Sequence, residues 1–149
     1  PGQPHLGSFR RQAEAVASAC VAVAARLVNE RRSVILEGAH LLPGEMRRQL
    51  AARAPDAMVV ELLLSVDAEE SHRAQLSRRA GLEPGRDGRR HLEHLAVIRR
   101  IQDELRRLAR ESGVAEHDIA HPEDLTQRIV DQVARELEVR GGRAVEVGA

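Results

Sequence analysis

The sequence predicts an α/β fold in which a short parallel sheet is covered by helices. Two apolar runs read as buried strands, Ser33–Glu37 (SVILE) and Met58–Val66 (MVVELLLSV). Around them, apolar residues recur at helical spacing. The runs are about twenty residues apart, long enough for a right-handed helical crossover between parallel strands. The 149 residues suffice for one domain with its own core.

Taken in order, Pro1–Gly7 is rich in Pro and Gly and reads as a loop. From Phe9 the series Phe9, Ala13, Val16, Cys20, Val23, Leu27 marks an amphipathic helix to about Arg31. The first strand follows, then a loop over Gly38–Gly44 and a short helix over Glu45–Arg53, stopped by Pro55. After the second strand, Asp67 with Glu70 forms a capping-box pattern opening a helix that ends near Gly81. Leu82–Gly88 holds Pro84, Gly85 and Gly88 and reads as a mobile loop. A long helix over Arg90–Ser112 carries the stripe Leu92, Leu95, Ile98, Ile101, Leu105, Leu108, with Gly113 as its cap. Val114–Ile119 is a weak strand candidate, interrupted by Glu116 and His117. A last helix begins near Pro122, carries Leu125, Ile129, Val133 and Leu137, and ends at Gly141-Gly142.

Composition narrows the function classes. The 23 basic residues balance the 23 acidic ones, so no global field draws the chain to nucleic acid or an anionic membrane. Every basic residue is arginine, and no lysine is present to contact a phosphate. Phe9 is the only aromatic residue, which argues against base-stacking recognition of single strands. Cys20 lies in an apolar helical stretch and reads as a core residue. The absence of an internal disulfide, a signal-peptide pattern or a membrane-length apolar run leads to the expectation of a cytoplasmic protein.

Two features point to chemistry. A buried strand that delivers Glu37 at its C-terminal end puts an acid in the crevice where open α/β sheets bind ligands. Glu37 is therefore a candidate Mg²⁺ ligand, Gly38 allows close approach to the backbone, and His40 faces the same crevice; the same pattern also describes a strand ending in a polar residue and a turn. Arginines cluster around the Leu82–Gly88 loop: Arg73, Arg78, Arg79, Arg86, Arg89, Arg90, Arg99 and Arg100. Guanidinium forks onto two phosphate oxygens and suits a lid over transferring phosphoryl groups, although solvated helix-face arginines give the same pattern. His91 and His94 have metal-pair spacing but no third ligand, and read as surface residues. Arg106, Arg107 and Arg110 alternate with Asp103, Glu104 and Glu111, the pattern of a solvated salt-bridged face.

In this order the segments FRRQAEAV (Phe9–Val16), SVILEGAHLLPG (Ser33–Gly44), the His72-Arg73 pair followed by Arg78-Arg79, and HLEHLAVIRRIQDEL (His91–Leu105) resemble the 2-phosphoglycerate kinase family of P-loop kinases. The resemblance spans roughly Phe9–Val133, and EGAHLLPG is its most specific piece. It implies a three-layer α/β/α kinase-like fold and phosphorylation of 2-phosphoglycerate to 2,3-bisphosphoglycerate with ATP and Mg²⁺. It implies Glu37 as the catalytic, metal-holding acid, and Arg78 and Arg79 as catalytic lid residues. Gln12, His40 and Arg99 would lie on the substrate side, and Arg89 and Arg90 beside the nucleotide. His91 stands where the family has tyrosine, and the stretch after Gly113 is more polar than the family's strand.

The family's phosphate-binding loop, G-x-x-x-x-G-K-[ST], has no counterpart here. The resemblance therefore implies a single partial kinase domain over residues 1–149, with a lid region at about 67–100, lacking the first strand and its loop. The runs near Ile35 and Val60 would then pair with each other, pair with another chain, or leave their inward edges open. The expectation is a kinase-type chain inactive alone, with an upstream segment or a second copy as partner, a small phosphorylated acid as substrate, and neither nucleic acid nor membrane. The competing reading is a non-catalytic module that binds a phosphorylated ligand, and a third is an inert remnant.

Overall fold

The computed structural model describes residues 4–82, 88–120 and 122–146, with side chains described for 6–78, 91–120 and 122–139. In chain order the elements are α1 (Pro4–Asn29), α2 (Glu45–Arg53), β1 (Leu62–Ser65), α3 (Glu69–Leu82), α4 (Gly88–Glu93), α5 (Leu95–Ser112), β2 (Ala115–Asp118) and α6 (Leu125–Glu146). The result is an α/β protein whose sheet, among the described residues, is a parallel pair of strands. Leu62 lies opposite Ala115 and Ser65 opposite Asp118.

Helix α1 starts at Pro4, inside the stretch that reads as a loop, because proline is tolerated in a first helical turn. Its buried stripe is Phe9, Ala13, Ala17, Val21, Ala24 and Ala25, whereas Val16 and Val23 are 38% and 52% exposed. The large residues expected in the stripe give way to alanines, whose small side chains let the helix lie close to its neighbours. The helix ends in a left-handed residue, Arg31 (φ 58°), with the Arg32 amide donating to the Leu27 carbonyl, the bonding of a Schellman motif.

Two hydrophobic clusters hold the layers. Phe9, Leu63, Leu105, Ala109 and Val114 join α1, α5 and both strand regions, with Leu42 and Ile101 packed against them. Val21, Ala24, Ala25, Met46 and Leu50 join α1 to α2, and there Cys20 takes the core role expected of it. Val34, Leu36, Leu41 and Val59 lean on this second cluster.

Four further sequence expectations are corrected. Ser33–Glu37 belongs to no ladder, although its burial alternates as in a strand: Val34 and Leu36 are half-buried and Ile35 is 94% exposed. Of Met58–Val66, only Leu62–Ser65 is paired. Composition made both runs suitable for strands, but a ladder also needs a neighbouring strand in register. The long helix predicted from Arg90 is broken at His94 (φ −101°, ψ 13°), which separates α4 from α5. Helix α6 continues through Gly141-Gly142 to Glu146; glycine weakens a helix by about 1 kcal/mol without sterically ending it. The lid loop falls on residues 83–87, Arg86 included, outside the described residues.

The sheet is covered unequally. Leu63 points into the cluster of α1 and α5, while Leu64 is 47% exposed. On β2, Glu116 reaches Arg106 of α5, and His117 on the opposite face meets Gln132 of α6 at 2.7 Å. Thus α5 and α6 flank opposite faces at β2, while Ile35, Met58 and Leu64 remain open.

Two glycines have positive φ for different reasons. Gly44 (φ 83°) precedes α2 and lies against the end of α5, where an added Cβ would fall 2.5 Å from the Ser112 Cβ. Gly113 (φ 67°) caps α5 as expected, its amide donating to Ala109 and Arg110 carbonyls, and its Cβ position faces open space. Gly113→Ala is expected to cost about 1–2 kcal/mol of left-handed strain alone. Gly44→Ala adds a clash of its new Cβ with the Ser112 side chain and is expected to cost about 3 kcal/mol or more. Urea denaturation of both variants and of Gly44→Ala/Ser112→Gly, which removes the clashing atoms, checks the difference.

Candidate functional site at the strand ends

The C-terminal end of β1 is fixed by side chains of α5. The Gln102 amide accepts from the Val66 N–H at 3.1 Å and donates to the Val66 carbonyl at 2.9 Å, as a neighbouring strand would. Arg99 donates to the same carbonyl at 2.6 Å and to the Asp67 carbonyl at 2.8 Å. Ile101, between them in sequence, packs on the first core cluster. The IRRIQ segment therefore has a structural reason: one helix turn grips a peptide unit and seals it with an apolar side chain. Arg99, placed on the substrate side by resemblance, commits two of its five N–H donors here. Burial lowers the His72 pKa, and the nearby Arg99 charge lowers it further.

Beside this clamp lies an ionic cluster. Arg106, whose side chain is only 16% exposed, pairs with Asp67, donates to Glu116 at 2.5 Å and to the Ser65 hydroxyl at 3.1 Å. Burial opposes its charge, but the pairs with Asp67 and Glu116 outweigh burial and raise its pKa. Asp118 accepts from the Asp67 and Ala120 amides. Asp67, Arg106, Arg110, Glu116 and Asp118 line a cleft of about 360 Å³. Sequence reasoning left Arg106 on a solvated face and gave Asp67 to the start of α3. Arg107 does match that surface reading, pairing with Glu104 at 2.9 Å and with Glu111. Only the β1–β2 register brings Glu116 beneath Arg106, so no local signal marked the cluster.

A second cleft, of about 310 Å³, opens between the start of α1, the loop after Glu37 and α5. Phe9, Gln12 and His40 line it with Val97, Ile98 and Ile101. The His40 ring stacks on Phe9 at 5.3 Å between centroids and 29° between planes. Its Nε2 lies 3.1 Å from Gln12 Oε1, an amide oxygen that can only accept, so the ring nitrogen is the donor in that bond. Gln12 and His40, distant in sequence, are therefore brought together. Glu37 and Arg78 are exposed, whereas the side chains of Arg79, Arg89 and Arg90 lie outside the described residues.

Glu37 suits Mg²⁺ as a single carboxylate, since that ion takes one or two carboxylates and completes its shell with water and phosphate oxygens. No three His, Cys, Asp or Glu side chains among the described residues gather to hold a metal, and His91 and His94 are both exposed. The sequence contains neither a G-x-x-x-x-G-K-[ST] segment nor a lysine, the groups with which such a loop holds nucleotide phosphates. Among the described residues, no helix is long and apolar enough to cross a membrane.

Together these features define an α/β protein with polar and ionic groups gathered at the carboxyl end of a parallel sheet, compatible with a kinase-like fold. Over 113 residues it is 30% identical to a 2-phosphoglycerate kinase of Methanocaldococcus jannaschii, a match that takes in 76% of this chain and 35% of the relative. The enzyme of that name from Methanothermobacter thermautotrophicus is 33% identical over 110 residues, 73% of this chain and 35% of the relative. That from Methanopyrus kandleri is 27% identical over 135 residues, 90% of this chain and 40% of the relative. The chain is a partial homologue of the 2-phosphoglycerate kinases, spanning about a third of their length. No family model and no solved structure matches it.

Two outcomes follow from the packing around α5. Gln102→Ala strands the buried Val66 amide and is expected to cost about 1–3 kcal/mol. Gln102→Glu keeps the acceptor but sets a carboxylate against the Val66 carbonyl, so its deficit should shrink when the pH falls below about 5 and the acid is protonated. Thermal unfolding across pH tests both. Separately, hydrogen bonds from Arg107 and then Arg10 hold the Glu104 carboxyl at about 2 against the opposing effect of burial, compared with an ordinary 4.5. A depressed folded pKa stabilises above the unfolded value and loses that stabilisation as pH falls from about 4.5 towards 2. Glu104→Gln should accordingly flatten the acid limb of the stability profile in that window.

Proposed function

We propose that this chain supplies the acceptor side of a phosphotransferase of the 2-phosphoglycerate kinase type, which transfers a phosphoryl group from ATP to 2-phosphoglycerate to give 2,3-bisphosphoglycerate. The observation that carries the reading is the cleft where Phe9 and Gln12 hold His40, built from three of the segments that resemble the family. In this reading His40 and Gln12 contact the small phosphorylated acid. Glu37 holds Mg²⁺, and Arg78 and Arg79 neutralise charge on the transferring group. Arg89 and Arg90 lie towards the nucleotide, and Arg99, anchored on the Val66 and Asp67 carbonyls, offers its remaining N–H groups to a phosphate. The protein's work is positioning and charge neutralisation rather than covalent chemistry. Residues 1–149 act as one partial domain with its lid region at about 67–100. The nucleotide-phosphate loop comes from outside the chain, which is inactive alone.

The absence of any lysine or phosphate loop favours one competing reading, a non-catalytic module that binds a phosphorylated ligand. Isothermal titration separates the two. Both readings expect 2-phosphoglycerate to bind the chain, and His40→Ala to weaken that binding by about tenfold or more. Only the kinase reading expects Mg-ATP binding and turnover once a segment carrying G-x-x-x-x-G-K-[ST] is fused upstream. Binding of neither ligand in the fused protein would falsify both.

A further inference from the structure

We propose that helix α3 is a proton-controlled arm: it docks on the body of the protein through the uncharged ring of His72, and protonation of that ring releases it.

The seam that holds α3 is short of apolar contact. Between Glu69 and Arg78 no residue is fully buried, and the half-buried ones are Ser71, His72, Gln75 and Leu76. At this spacing they form one helical face, the inward one, and only Leu76 on it is apolar. Gln75 reaches the Ile119 carbonyl at 3.4 Å, the long limit of a hydrogen bond. The root of the helix is fixed independently of His72: Arg99 holds the Asp67 carbonyl, and Asp118 accepts from the Asp67 amide. A helix with a firm root and a polar underside opens locally before the rest of the fold.

His72 lies on this inward face, and its Nδ1 is buried with no hydrogen-bond partner among the described residues. A neutral imidazole tolerates that by carrying its proton on Nε2, which leaves Nδ1 a bare acceptor. An imidazolium carries protons on both nitrogens and would bury an unpaired donor together with a charge. The surrounding charge opposes protonation as well. Arg99 of α5 acts on the ring, and it is tied to the Val66 and Asp67 carbonyls. The carboxylates of the same region are engaged elsewhere or exposed. On α3, Glu69 pairs with Arg73 and Glu70 is exposed; at the root, Asp67 pairs with Arg106, and Asp118 accepts two backbone amides. On α4, which packs against α3, His91 and Glu93 are exposed, and the side chains of Arg89 and Arg90 lie outside the described residues.

Burial and then Arg99 accordingly lower the His72 pKa from the ordinary 6.5. In a released α3 the ring regains water and its ordinary value. The docked form is therefore favoured in full above pH 6.5 and loses ground as the pH falls below it. The inference stands on this seam and does not require that the chain transfer phosphate.

The test uses the full 149-residue chain. NMR titration follows the ring, assigned by the signal lost in His72→Gln, and hydrogen exchange corrected for intrinsic rates follows the amides of α3 and α5. The His72 ring should titrate below 6.5. From about pH 7.5 to about pH 5, protection at 69–78 should fall by about threefold or more while that of α5 holds. His72→Gln, which takes no proton, should abolish the fall and keep α3 docked across the range, and His72→Leu should do the same. The proposal is overturned if the ring titrates at or above 6.5, if α3 protection stays flat, or if it falls as far in both variants. Loss of protection in α3 and α5 together, the sign of global acid unfolding, overturns it equally.

Discussion

The peptide unit between Val66 and Asp67 is where the layers are joined. A parallel pair of four-residue strands is too small to hold itself together in water. Here α5 completes the pair: Gln102 takes both hydrogen-bonding groups of Val66, and Arg99 adds the Asp67 carbonyl. The helix thus acts both as the apolar cover of β1 and as a substitute for its next ladder bonds. Asp67 is held so that its carboxylate meets Arg106, and Arg106 in turn bridges to Glu116 on the neighbouring strand. Remove the grip on Val66 and the strand end, the ion cluster and the wall beside Ile101 lose their common reference.

An all-arginine chain makes such bridging possible and also limits what remains for ligands. Arg99 spans two carbonyls, Arg106 spans three side chains, and Arg107 spans two carboxylates. A planar fork with five donors can do this, whereas a lysine ammonium is a point charge on a flexible stem. The arginine-rich stretch from Arg73 to Arg110 therefore overstates the capacity for phosphate: its partly buried members are already engaged in holding the fold. Exposed Arg78 is of another kind, with its guanidinium on the surface.

The long helices and the parallel sheet were legible in the sequence, because periodicity is a local signal, whereas Gln12 and His40 were assigned to one side only through the family resemblance and their contact appears only in the fold. The face of α1 was read only in part: Phe9 and Ala13 are buried as expected, but size was weighted over position, and Ala17 and Ala24 are buried where Val16 and Val23 are not. Arg106 was missed because its partners belong to two strands whose register no local pattern encodes. Ser33–Glu37 was read as a buried strand whose pairing was left open; its burial alternates as in a strand, but it joins no ladder among the described residues. Gly44 belonged to the motif from the start, but its purpose, a close approach to Ser112, appears only with α5 in place.

The two halves of the candidate site differ in how firmly they are held. Phe9 is buried in the first core cluster and stacks on His40, and Gln12 bonds to the same ring, so the His40 cleft rests on packing within this chain. Glu37 instead ends a segment anchored on one face only, with Ile35 in solvent two residues before it. A carboxylate directs a cation only as well as its strand is fixed, and a strand is fixed by its ladder as much as by its apolar side. Glu37 and Ile35 are both exposed and both belong to a segment that packs by one face and joins no ladder among the described residues. Under the proposed function, ligand binding at the His40 cleft and metal placement by Glu37 would therefore be separable, because they rest on differently anchored segments.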